Sequence, residues 1–157
     1  MSEIKTYARA VSDVVDGSIV GSVEIARAPE RVFQALASRE IIEWWVNPGV
    51  FDTKEWSGDV RLGGSWRSSG VARGQPYALE GKYLEIDPPR KLVHTWHFVG
   101  APEQASTVTY MLETIPGGTR LTVRHSGIAA EDQRKNVGAG WRSSFDKLVE
   151  ILPARKG

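Results

Sequence analysis

The residues in this 157-residue chain whose types lend themselves to chemistry are three histidines, set among tyrosines and tryptophans. His94 and His97 lie in the run Leu92-Val-His-Thr-Trp-His-Phe98. Successive strand side chains alternate between faces, so this odd separation puts the two imidazoles on opposite sides. They cannot chelate one metal from a regular strand. His125 ends another alternating run, before Ser126-Gly127, where it is expected to meet ligand or solvent. With three histidines and no cysteine, a zinc site is not expected. The remaining chemistry is general acid–base catalysis, with His94, Tyr110 or His125 moving a proton on a bound substrate. A lone histidine on an apolar strand face is, however, more often a hydrogen-bonded core residue. Glu80 and Glu113 fall opposite the apolar sets and read as solvated, while Glu55 beside Trp56 fits either face. No acid–base pair emerges, so no catalytic residue is assigned. Gly63-Gly64 lacks the lysine and following helix of a phosphate loop, and Ser143-Ser144 lacks the context of a nucleophile elbow.

The elements that must position these groups follow from periodicity. Ile19, Gly21, Val23 and Ile25 alternate with polar residues, which predicts a strand over residues 18–26. Ala28-Pro29-Glu30 opens a helix, because proline suits the first turn and Glu30 suits the positive end of the helix dipole. Ser38 is expected to cap a second short helix carrying Ile41, Ile42, Trp44 and Trp45, which Asn47-Pro48-Gly49 stops. Strands are then predicted from Phe51, from Ser65, through Tyr77, Leu79, Gly81 and Tyr83, and through Leu92, His94, Trp96 and Phe98. Two more carry Val108, Tyr110 and Leu112, then Leu121, Val123 and His125. Val137, Trp141, Phe145 and Leu148 share one face of a final long helix over residues 130–152. Gly138 and Gly140 are costly inside a helix and mark a kink or a close approach. Residues 18–153 therefore form one α+β domain. Residues 1–17 are either a tail or an extra edge strand; Asp13 and Asp16 interrupt the alternation, which favours a tail.

Bulk properties exclude several classes. Twenty basic and nineteen acidic residues give a net charge of +1 with no dense run of either sign. A nucleic-acid or membrane-surface partner would need such a footprint. No apolar stretch approaches the ~20 residues of a membrane span, and the N-terminus lacks an apolar signal core. A cytoplasmic protein is the expectation. Without cysteine there is no disulfide, thiolate site or cysteine nucleophile.

The string Val23-Glu-Ile-Ala-Arg-Ala-Pro-Glu-Arg-Val-Phe-Gln-Ala-Leu36 resembles the opening of START-like, helix-grip proteins of the SRPBCC superfamily. Arg61-Leu-Gly-Gly-Ser-Trp66, Gly81-Lys-Tyr-Leu-Glu-Ile-Asp-Pro-Pro-Arg-Lys-Leu92, Gly118-Thr-Arg-Leu-Thr-Val-Arg-His125 and Gly140-Trp141 with Leu148 narrow the resemblance. Together they are similar to the activator of Hsp-90 ATPase homologue-like family. The resemblance implies a helix-grip fold: a curved antiparallel sheet of six to seven strands wrapped around the long C-terminal helix, with two short helices after the first strand. It also implies a cavity between sheet and helix. The co-chaperones that name the family carry a further N-terminal domain, for which this chain is expected to have no room, so their activity is not carried over.

Six tryptophans favour burial in a core or pocket. The apolar-facing sets put Tyr83, His94, Trp96, Tyr110, His125 and Trp141 inward, with Trp45 and Trp66 near the mouth or the small helices and Phe145 beside Trp141. These nine are the candidate ligand-binding residues. The expected function is binding of a small hydrophobic or aromatic molecule, without cofactor, metal or assigned catalysis. A polyketide cyclase or aromatase using the cavity histidines and tyrosines is the alternative, and a stress-related interaction module is a third. A homodimer is compatible with the sequence but not specified by it.

Overall fold

The computed structural model describes residues 11–12 and 17–152. Among the described residues, nine strands form one antiparallel sheet: β1 (Val11–Ser12), β2 (Ile19–Ile25), β3 (Val46–Asn47), β4 (Phe51–Gly58), β5 (Ser65–Ala72), β6 (Gln75–Asp87), β7 (Lys91–Phe98), β8 (Ser106–Ile115) and β9 (Gly118–Ser126). Three α-helices accompany them: α1 (Pro29–Leu36), α2 (Ile41–Trp44) and α3 (Glu131–Ile151). The sheet has two strands more than the upper end of the expected range, because the two-residue pieces β1 and β3 sit at its edges. Val11–Ser12 pair with β2 as an edge strand; residues 1–10 and 13–16 of the expected tail lie outside the described residues.

The strand order is β1-β2-β9-β8-β7-β6-β5-β4-β3. From β3 onward each strand pairs with the next, while β2 pairs with the last strand, β9. The chain must therefore cross from one end of the sheet to the other between β2 and β3. The two small helices make that crossing. Pro29 and Glu30 start α1, and its buried side is Val32, Phe33, Ala35 and Leu36. Arg31 and Glu40 join α1 to the segment before α2 (2.8 Å). Ser38, expected as the cap of α2, instead stands two residues before its N-cap, Glu40, whose backbone N–H donates to the Ser38 hydroxyl at 3.3 Å. The short helix is held by burial of Ile41 and Trp44 rather than by a side-chain cap.

Register shifts between Thr53 and Glu55 and between Tyr83 and Glu85 interrupt the ladders. Such bulges add local twist and bend the strand that carries them. Gly81 adds a close approach at the bend. A Cβ there would lie 2.0 Å from the Thr95 carbonyl oxygen and 2.5 Å from the Trp66 indole nitrogen. Only glycine lets the Trp66 ring lie over β6 and donate its N–H to Thr95 O at 3.1 Å.

The concave face grips α3, which is unbroken through Gly138 and Gly140. Trp141, Phe145 and Leu148 enter the core, and Arg27 closes the helix end by donating to the Leu152 carbonyl at 2.8 Å. That bond satisfies a carbonyl that the terminal turn leaves without an intrahelical partner.

Candidate functional site

A cavity of about 350 Å³ lies between α3 and the half of the sheet formed by β4 to β7. The alternation of β4, β6 and β7 turns Phe51 and Thr53, Tyr77 and Leu79, and Trp96 and Phe98 toward it. The helix supplies Asn136, Val137, Gly140, Trp141 and Ser144, at the spacing of one helical face. Trp45, just past α2, completes the wall. The exposed residues Arg73, Phe98 and Asn136 mark the mouth. Gly140 has a specific role: a Cβ there would sit 3.4 Å from the edge of the Phe51 ring, inside the space that the helix and β4 leave between them.

Hydrogen bonding fixes the direction of the polar groups in this wall. Thr53 donates its hydroxyl to the Trp45 carbonyl at 2.8 Å. Its proton being spent there, the 3.0 Å contact with Tyr77 requires the tyrosine to donate to Thr53 Oγ1. The Tyr77 oxygen is then left as an acceptor. Burial raises the pKa of Tyr77, the Thr53 bond opposes that shift and Asp52 adds to it, so Tyr77 stays a neutral phenol.

A second chain lies behind the wall. The Trp141 indole N–H donates to His125 Nδ1 at 3.0 Å, and His125 Nε2 lies 2.6 Å from Ser106 Oγ. Indole nitrogen only donates, so Nδ1 must be unprotonated and Nε2 carries the hydrogen. Ser106 accepts it and donates in turn to the Trp96 carbonyl at 3.0 Å. One neutral imidazole thereby ties the two facing tryptophan walls together. Burial, and then the nearby His94, lower the His125 pKa to about 3. His125 was expected to meet ligand or solvent; instead it is wholly buried. Its position at a strand end is covered by the Trp141 ring, at a centroid separation of 6.0 Å.

His94 centres a third group. Its ring packs against Trp66, Tyr83 and Tyr110 at 5.1, 6.1 and 5.8 Å, and its Nδ1 lies 2.8 Å from the Thr95 carbonyl. The contact with a carbonyl makes Nδ1 the protonated nitrogen of the neutral ring. Burial lowers its pKa to about 4, and the Thr95 bond opposes that shift. Burial also raises the Tyr83 and Tyr110 pKa values. The Trp45 indole stabilises the Tyr110 phenolate form, yet neither Trp45 Nε1 nor the Tyr110 oxygen has a partner at bonding distance and angle. The two polar atoms are neighbours that miss a hydrogen bond.

Of the nine candidates, Trp45, Trp96 and Trp141 line the cavity. Trp66, Tyr83, His94, Tyr110, His125 and Phe145 are buried in the core, with relative exposures of 4% or less. Periodicity separates inward from outward but not wall from filling. Thr53, Arg73, Tyr77, Asn136 and Val137 also line the cavity. Tyr77 and Val137 carried a signal, since both belong to inward-facing sets. Arg73 and Asn136 carried none, because their place depends on where a hairpin tip meets a helix.

The convex face carries a polar groove lined by Arg67, Glu80, Lys82 and His97. His97 stands 3.9 Å from Glu80, on the side opposite His94. No metal-ligating cluster of three or more histidine or acidic residues occurs among the described residues. No described helix is long and apolar enough to cross a membrane.

Comparison with known proteins agrees with this geometry. The chain is 26% identical to a protein of Chromobacterium violaceum, with a TM-score of 0.78 over 86% of this chain and 96% of that one. It is 26% identical to the AHSA1 protein of Silicibacter pomeroyi, with a TM-score of 0.71 over 87% and 98%. CalU16 from Micromonospora echinospora is 25% identical, with a TM-score of 0.62 over 96% and 87%. No curated protein matches the chain. The model of the Activator of Hsp90 ATPase homolog 1-like protein family matches residues 26–153. A START-like helix-grip fold over nearly its whole length, matched by that model, makes the chain a member of the Activator of Hsp90 ATPase homolog 1-like family.

Proposed function

We propose that the protein binds a small apolar or aromatic molecule in the cavity between the sheet and α3. The observation that carries this reading is a space of about 350 Å³ walled by Trp45, Trp96 and Trp141 and open at one end. Sites for small molecules are typically apolar hollows of roughly 300–1,000 Å³ with a few placed polar groups. The space here is at the small end and suits about two fused rings or a medium alkyl chain.

Binding is favoured over the cyclase-like alternative by what faces the space. The titratable side chains that line it are Arg73 and Tyr77. Neither is a general base near neutral pH: the arginine stays charged, and burial raises the tyrosine. His94 and His125 lie beneath the wall and are neutral. An acid–base reaction needs a group within about 3 Å of the proton it moves, and that position is occupied here by indole and phenyl surface.

Native mass spectrometry of the purified protein, with tryptophan fluorescence titrations against naphthalenes, flavonoids and medium-chain fatty acids, tests the proposal. Retained mass or saturable quenching is expected, because three indoles border the space. An empty protein with no quenching by any of these classes would sink it.

A further inference from the structure

The proposed ligand has a chemistry that the mouth of the cavity narrows. We infer that Arg73 selects molecules whose apolar body enters the cavity and whose carboxylate stays at its rim; this rests on the cavity being a binding site. Three observations converge on Arg73. It lines the mouth of a space that is otherwise almost entirely apolar. No acidic side chain among the described residues pairs with it, and it is the one arginine that lines the cavity. Asp52, whose charge reaches Tyr77 in the wall, is held by Lys54 at 2.6 Å.

The third observation is in the backbone. Arg73 and Gly74 form the two-residue tip of the β5–β6 hairpin, with φ of 50° and 79°. Such a tip needs positive φ at both positions and favours asparagine then glycine. Arginine has no local hydrogen bond with which to offset the left-handed conformation, and Arg73 is the one non-glycine residue with positive φ among the described residues. Strain of this kind concentrates at functional sites. The tip is also fastened, since the Arg73 backbone N–H donates to the Val50 carbonyl at 2.8 Å. A guanidinium carried on that fastened tip, at the mouth of an apolar space, matches a planar carboxylate through paired N–H donors. The body of the ligand would lie among the tryptophans, and its charge would remain partly in water.

The test is a titration of the wild-type protein, Arg73→Asn and Arg73→Lys with two matched pairs, 2-naphthoate with 2-naphthamide and decanoate with decanamide. The wild type is expected to bind at least one acid about ten-fold or more tightly than its amide. Arg73→Asn should bring that ratio close to one by weakening the acid more than the amide, and keep or raise the melting temperature, because asparagine suits the turn. Arg73→Lys should keep part of the ratio. Amides that bind the wild type as tightly as their acids, or a ratio that survives in Arg73→Asn, would overturn the role of Arg73 while leaving the cavity as a binding site. Failure of all four probes to bind would overturn both.

Discussion

The indole N–H of Trp141 on α3 donates to Nδ1 of His125 on β9 at 3.0 Å, inside the core. This is a bond between the gripped helix and the gripping sheet, and it sets the tautomer of the histidine. His125 passes the direction on through Ser106 to the carbonyl of Trp96. Two walls of the cavity are thus held by one neutral ring that the cavity does not touch.

His125→Leu should therefore destabilise the protein by about 2–4 kcal/mol, since the Trp141 N–H would lose its acceptor and Ser106 its donor in a buried place. Denaturant unfolding measures the loss. In the wild type, nitrogen-15 spectra of the ring should show the proton on Nε2 of His125 and on Nδ1 of His94. The opposite tautomer at His125 would contradict the bond from Trp141.

Both buried histidines make stability pH-dependent. Their folded pKa values are lowered to about 4 and about 3, below an unfolded value of about 6.5. Between these limits the unfolded chain binds protons that the folded chain refuses. Stability is then full above about pH 6.5 and falls as pH drops toward the folded values, by about 1.4 kcal/mol per pH unit for each histidine. Unfolding free energies measured at pH 7 and pH 5 should differ in this sense, and the gap should shrink in His94→Leu. A protein equally stable at both values would mean that the rings are charged or hydrated.

Tyr110→Phe should be nearly neutral, within about 1 kcal/mol, although the residue is fully buried. Its hydroxyl has no hydrogen-bond partner, and neither does the Trp45 N–H beside it. Removing an unbonded polar group relieves a desolvation cost and leaves the ring packing unchanged. A loss above about 2 kcal/mol on thermal or chemical unfolding would show that the hydroxyl is bonded.

The order of the elements was legible because each strand and the last helix keeps a clean period. Ile19, Val23 and Ile25 point inward as read, and so do Tyr83, His94 and Tyr110. The edge piece β3 was not read as a strand, since two residues carry no period, and β1 was read only as an alternative to a tail, because Asp13 and Asp16 interrupt the alternation there. The cavity was only half legible, for a different reason. Trp66 and Trp96 look alike in sequence, yet Trp66 is laid over Gly81 and filled in by His94, while Trp96 faces open space. What separates them is how far the sheet bends away from α3, and that depends on the bulges at Thr53 and Tyr83. Periodicity does not encode that distance. Arg73 was illegible for the same reason: a hairpin tip gains its meaning from the helix it meets.

Gly140 supplies a test of the space itself. Replacing an interior helical glycine by alanine gains about 1 kcal/mol in helix propensity. The added Cβ would meet the edge of Phe51 at 3.4 Å, which a small ring movement accommodates. Gly140→Ala should therefore be neutral or stabilising. Gly140→Leu extends further into the same space, between Phe51 and Trp141, and should occupy it as a ligand would. Its expected signature is an intact fold by circular dichroism together with loss of quenching by compounds that the wild type binds. If Gly140→Leu unfolds, the helix and β4 are packed too tightly to admit a molecule. If it folds and still binds, the ligand sits elsewhere, and the tryptophan-walled space is not the site.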